Sequence, residues 1–226
     1  MPWIAFMRQT RTPRRARLYN RPHAYERIPA KALQMAILLV GLLLFLGIHS
    51  TRIVADDWRS AQIARHGAPG WKLAYTAVSL AGFALVLWGF GIARQDAPVL
   101  WNPPVAMRHL SALLTLLAFV LLAAAYVPRN SVKARLHHPM AIGVALWATA
   151  HLLANRTLAD LLLFGSFLAW SIASLLAARR RDRLAGTRYP AGTVAGTLLA
   201  VVVGVAAWAI FAFWLHGRWI GVRPFG

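Results

Sequence analysis

Cysteine is missing from all 226 residues, and acids are scarce: Glu26, Asp56, Asp57, Asp96, Asp160 and Asp182 stand against 25 Lys and Arg. The first absence excludes a disulfide framework, a thiol nucleophile, thiolate-bound zinc and cysteine-ligated iron–sulfur clusters. The second leaves no carboxylate in the middle of any apolar run. Paired-carboxylate chemistry within a membrane, and a proton pump built on buried Asp or Glu, are therefore disfavoured. Charge of either sign is thin. Only 14% of the chain is charged and 59% is apolar, whereas a soluble domain is about a quarter charged and about half apolar.

The apolar excess sits in six uncharged runs, at 33–50, 73–93, 110–128, 139–155, 161–178 and 191–215. Each is roughly long enough to carry a helix across about 30 Å of hydrocarbon. A spanning segment must satisfy its own backbone hydrogen bonds, which favours helices over the alternating ten-residue strands of a barrel. The expected fold is all-α, a polytopic bundle of about six transmembrane helices in one domain over 33–226. Residues 1–32 carry eight Lys or Arg and four Pro. They read either as a disordered basic arm on anionic lipid or as a stretch ahead of a true start at Met35.

A net charge of +19 would suit nucleic acid, but the basic residues cluster between apolar runs and no aromatic-interleaved groove is readable. Lipid headgroups are the expected partner, and nucleic acid is not. Loops one, three and five (51–72, 129–138 and 179–190) hold 12 Lys and Arg, and the opposite side holds five. The positive-inside rule places those odd loops in the cytoplasm; counting the N-terminal arm removes the bias. Within this frame Pro139 suits a first helical position, Thr157 with Asp160 forms a capping box, and Arg179–Arg181 ends the fifth span at the interface. Spans four and five then make an antiparallel hairpin. Gly82, Gly89, Gly143, Gly165, Gly196 and Gly204 offer close helix approach. Trp88, Trp147, Trp170 and Trp208 lie deep enough for packing or for lining a flat ligand.

Five histidines lie in or beside the spans: His49, His109, His138, His151 and His216. An ionisable side chain in hydrocarbon is costly without a partner or a task. Neutral imidazole ligates haem iron without an adjacent thiolate or carboxylate, so haem is the metal centre this composition favours. Two axial nitrogens on one iron are roughly 4 Å apart, so both ligands must lie at similar depth. His49 and His138 fall near the odd-loop face, and His109, His151 and His216 near the other. His138 and His151 are about 20 Å apart along one helix and cannot share an iron. Depth favours His49 with His138, or His109 with His151. The plain alternatives are a cap or headgroup contact for His138, interfacial roles for His109 and His216, and hydrogen bonds to neighbouring helices for His49 and His151.

Four separated segments, GLLLFLGIHSTRI (41–53), HPMAIGVALWATAHLLANRTLADLLLFGSF (138–167), LLAARRRD (175–182) and HGRWIGVRPF (216–225), resemble the NnrU family of bacterial membrane proteins over about 35–225. The resemblance implies a bacterial inner-membrane protein connected with denitrification, through production of nitrite and nitric oxide reductases. The family is also similar, distantly, to 15-cis-zeta-carotene isomerase, a haem b membrane enzyme. That similarity implies His49 and His151 as the haem ligands, with His109 the alternative that depth supplies. Ala148 stands where the isomerase pattern has a cysteine proposed as an alternative ligand, so the resemblance does not extend to a redox ligand switch. His137 replaces the Arg usually found before His-Pro, which makes any anionic contact there weaker and pH-dependent. Two functions are expected: a haem-dependent isomerase-like or redox step on an apolar small molecule, or a non-enzymatic assembly or sensing partner of reductase components with structural histidines.

Overall fold

Leucine-, valine- and alanine-rich sequence with few helix breakers gives helices almost end to end. The computed structural model describes residues 30–225. The expected basic arm lies outside the described residues, except that Ala30 already opens α1. The helices are α1 (Ala30–Val54), α2 (Asp56–Asp96), α3 (Ala106–Tyr126), the short α4 (Ser131–Leu136), α5 (Pro139–Ala154), α6 (Leu158–Ala185) and α7 (Val194–Ile210), which continues as a π-helical segment, Phe211–Ile220. Five of these helices are long and apolar enough to cross a membrane, and α5 is a shorter apolar helix. The expected six-span all-α fold is therefore close to the structure. Leu198, Leu199, Val202 and Val205 of α7 point outward, as a lipid-facing helix requires.

The packing runs as a chain of neighbours. Helix α2 lies on α1, α1 on α6, α6 on α5, α5 on α3, and α3 on α7. Gly41 faces Val86, Phe45 faces Gly82 and Leu38 faces Gly89, so α1 runs antiparallel to the part of α2 beyond the Gly67 break, and glycine sets their distance. A Cβ added to Gly41 would stand 2.6 Å from the Val86 backbone nitrogen, one on Gly82 2.6 Å from that of Phe45, and one on Gly89 2.5 Å from that of Leu38. These helices touch backbone to backbone, the packing that small residues permit in lipid. Gly204 plays the same part in α7 against Val120 of α3. Gly165 meets only a side chain of its own helix.

Helix α5 is ~24 Å long at 1.5 Å per residue, short of the ~30 Å hydrocarbon layer. It can be short because it is enclosed: Met140 is its only exposed residue. Pro139 occupies the first turn of α5, and Thr157 and Asp160 form the capping box of α6, both as the sequence predicts. The α5–α6 hairpin is also as expected.

Three boundaries differ from expectation. The segment 51–72 is helical rather than a loop, because Asp56 and Asp57 suit the positive end of a helix. The break falls instead at Gly67, whose φ of 73° only glycine adopts freely, beside Pro69. Helix α6 runs through Arg179–Arg181 and stops at Gly186, in the left-handed conformation. Arginine is a good helix former, so the run marks an interface without ending the helix. Helix α7 passes 215 and carries His216 and Arg218 in its π-helical continuation.

Candidate functional site

The local chemistry of the two emphasised histidines is the same. His49 follows Phe45 by four residues and His151 follows Trp147 by four, so each ring lies over the preceding turn. His49 Nδ1 donates to the Phe45 carbonyl at 2.6 Å, and His151 Nδ1 donates to the Trp147 carbonyl at 2.8 Å. A carbonyl only accepts, so each bond places a proton on Nδ1, and in the neutral imidazole that leaves Nε2 with its lone pair. Each histidine therefore presents a nitrogen suited to a metal or to a proton donor.

Their surroundings differ. His49 is wedged between α1, α2 and α6, with ring centroids 4.3 Å from Phe45, 5.2 Å from Tyr75 and 6.1 Å from Trp170. His151 stacks on Phe164 of α6 at 4.5 Å. Trp170 and Phe164 are six residues apart, so the two histidines meet α6 at levels ~9 Å apart. A series of aromatic rings fills the interval. Trp147 is 5.5 Å from Phe167, and Phe167 is 5.9 Å from Phe45. The structure therefore does not bring His49 and His151 to one cavity, and an iron shared by both would require these rings to move.

His151 instead lines a cavity of about 420 Å³ between α3, α5, the α7 continuation and the C-terminal residues. From α3, Arg108, Ser111, Thr115 and Phe119 face it, a spacing that follows one side of a helix. From α5 come Trp147 and His151; from α7 and its continuation come Trp208, Phe211 and His216. Arg223 and Phe225 complete the wall. Trp208 Nε1 donates to Thr115 Oγ1 at 3.1 Å, and Ser111 Oγ donates to the Ala150 carbonyl at 2.6 Å. The C-terminal wall is tied down: Arg94 donates to the Ile220 carbonyl at 2.9 Å, His216 Nδ1 donates to that of Val222 at 2.6 Å, and Phe225 stacks on Phe213 at 5.0 Å. π-Helix is rare and tends to occur at functional sites.

The cavity thus joins His151 to His216, a pairing that sequence reasoning did not reach, although it had placed both at the same face. His109, the depth-based alternative, is exposed and lies outside the cavity lining, although its neighbour Arg108 belongs to it. Of the deep tryptophans, Trp147 and Trp208 line the cavity, whereas Trp88 faces outward at 58% exposure.

At the odd-loop face His138 occupies the N-cap position of α5 without capping it. Its Nε2 lies 2.7 Å from Asp182 Oδ2 instead, and the Tyr189 hydroxyl donates to the same oxygen at 2.8 Å. His137 stacks on Tyr189 at 4.2 Å. Burial, then the hydrogen bond to Asp182 and its negative charge, push the Tyr189 pKa up to about 12. The cluster pins the start of α5 to the end of α6. Ala148, where the isomerase pattern has cysteine, is fully buried in the core shared by α1, α2, α5 and α6.

The fold and its lipid-facing surface define a polytopic α-helical membrane protein with a cavity among its helices. A family model described as NnrU protein matches residues 37–224, and the chain belongs to that family. Comparison with curated proteins and with solved structures found no match.

Proposed function

We propose that this NnrU-family protein is a ligand-holding membrane protein of the bacterial inner membrane. In this reading it holds haem b through His151 and supports the production of nitrite and nitric oxide reductases, with a haem-linked isomerisation or redox step on an apolar molecule as its activity. The observation that carries the ligand site is His151, with its proton fixed on Nδ1 by the Trp147 carbonyl, lining a 420 Å³ cavity. That volume lies within the usual range for small-molecule sites.

The donor set fits haem. Imidazole nitrogens with lone pairs, aromatic walls and the Arg108 and Arg223 side chains suit an apolar macrocycle that carries carboxylates. Bound there, haem b supplies one-electron chemistry at iron. The chain's own residues orient the ligand imidazole, exclude water with Trp147, Trp208 and Phe225, and offer cations to acid groups. A further residue that would help His151 hold haem is His216 by its place in the cavity, with His49 by the isomerase resemblance and His109 by depth as candidates that do not line it. The link to denitrification rests on the resemblance alone.

The optical spectrum of the detergent-purified full chain tests this. A Soret band is expected, lost in His151→Ala, and the partner ligand is whichever of His49→Ala, His109→Ala and His216→Ala also loses it. A purified protein with no Soret band would overturn haem binding.

A second reading has its own support in the packed environment of His49 and in the tie from His138 to Asp182. It makes the protein a non-enzymatic assembly factor with structural histidines. Under it, a reductase subunit co-purifies with the protein and the reductases are produced normally in cells carrying His49→Ala or His151→Ala.

A further inference from the structure

The cavity is graded from end to end. On α3 its lining begins at exposed Arg108 and ends at half-buried Phe119, eleven residues and ~16 Å deeper along the helix. The opposite wall repeats the gradient, from His216 back to Trp208. The inner end is aromatic, and the outer end carries Arg108 and Arg223. No Asp or Glu among the described residues lines the cavity. Among the described residues the ion pairs are Arg59–Asp56 and His138–Asp182, so neither arginine of the rim has an acid for a partner.

Most other polar groups at the rim are already engaged. His216 Nδ1 donates to Val222, Ser111 Oγ to Ala150, and Asn155 Nδ2 to the His151 carbonyl at 3.0 Å. The two guanidiniums are the cationic donors left for a ligand. Two forked guanidiniums can seat the two oxygens of one carboxylate, the more compact of the common anionic head groups.

We propose that this cavity binds a single-chain amphiphile headed by a carboxylate, with its chain among Phe119, Trp147, Trp208 and Phe211 and its head between Arg108 and Arg223. This deepens the ligand-site reading above but does not need iron. Lack of a Soret band ends the haem assignment and leaves this one standing, whereas loss of carboxylate selectivity ends this one with any Soret band intact.

The test uses the full chain, its haem-free fraction, in nanodiscs of zwitterionic phosphatidylcholine. A fluorescent long-chain carboxylate is displaced by oleate, by oleyl alcohol, or by oleoyl lysophosphatidate. Oleate is expected to compete at least about tenfold better than the alcohol and better than the lysophosphatidate. The double variant Arg108→Gln with Arg223→Gln should bring oleate down to the alcohol's level. Both arginines are exposed, so an unchanged Tm is expected to accompany that loss. Ala212→Trp, which adds a large ring at a position lining the cavity, should abolish binding of the probe. Equal competition by oleate and the alcohol would overturn the proposal. So would a preference that survives the double variant, a lysophosphatidate that outcompetes oleate, or probe binding unchanged in Ala212→Trp.

Discussion

The two ends of the molecule carry the same local motif in opposite surroundings. An aromatic residue, three more residues and a histidine occur as Phe45 to His49 and as Trp147 to His151, and both imidazoles bond the carbonyl four residues back. At the α1–α2–α6 end, glycine lets two backbones touch, and Phe45, Tyr75 and Trp170 crowd the His49 ring. At the α3–α5–α7 end Gly204 lets α7 touch α3 in the same way, but a cavity of about 420 Å³ lies beyond that contact and gives His151 open space on one side. The local sequence sets the tautomer of each histidine, and the neighbouring helices decide whether its free nitrogen meets a ring or a ligand.

The steepest contrast lies in tolerance to added volume. Gly89→Ala puts a methyl group 2.5 Å from the Leu38 backbone nitrogen and 2.7 Å from its Cα. Backbone on both sides cannot yield as a side-chain tip can, so a loss near the upper end of overpacking costs, about 3 kcal/mol, is expected. Gly91, two residues on, has nothing within 4 Å of its added Cβ, and Gly91→Ala should leave stability within about 0.5 kcal/mol. Thermal unfolding of both variants in detergent decides this. Equal Tm values would mean that α1 and α2 are not held backbone to backbone.

A smaller but more specific contrast comes from exchanging the histidines for alanine. His49→Ala leaves a void among three aromatic rings and should cost about 2–3 kcal/mol, as other large-to-small changes in packed sites do. Binding of the carboxylate amphiphile should hold, because His49 does not line the cavity. His151→Ala enlarges a space that already exists and gives up its ring contacts with Phe164 and Trp147, at roughly 1–2 kcal/mol, but it should remove ligand binding that depends on the imidazole. The reverse pattern, a stable His49→Ala and a strongly destabilised His151→Ala, would show that the open and the packed end have been exchanged.

What the sequence made legible follows the same division. Features set within a few residues were readable, such as Pro139 in the first turn of α5, the Thr157–Asp160 cap and the uncharged lengths of the spans. Features set by which faces meet were not. Lipid and core are equally apolar, so hydropathy cannot say that Trp88 faces outward while Trp147 lines a cavity. Nor could it single out Gly41 as a contact glycine and Gly165 as an idle one. Pairing His151 with His216 needed the register of α5 against α7, and two further misses have local causes. The polar stretch 56–66 reads as a loop because polarity alone does not separate an exposed helix from a loop. The Arg179–Arg181 run reads as a helix end because charge marks the interface, whereas the helix itself continues to Ala185.

The finest distinction concerns the cavity rim. An added Cβ at Gly217 would stand 3.2 Å from Arg223 Cγ, tighter than ordinary contact but against a side chain that is exposed and free to turn. Gly217→Ala should therefore cost little stability while moving one guanidinium off its line to the ligand. Carboxylate affinity should fall roughly threefold, well under the tenfold that 1.4 kcal/mol represents, with binding of the uncharged alcohol unchanged. Gly221 makes the control. It has no neighbour within 4 Å but adopts a φ of 76°, so Gly221→Ala strains the backbone beyond the cavity and should lower Tm without altering the ratio of carboxylate to alcohol affinity. If Gly217→Ala weakens acid and alcohol alike, Arg223 contributes to the cavity through its methylenes, and its charge is not what selects the ligand.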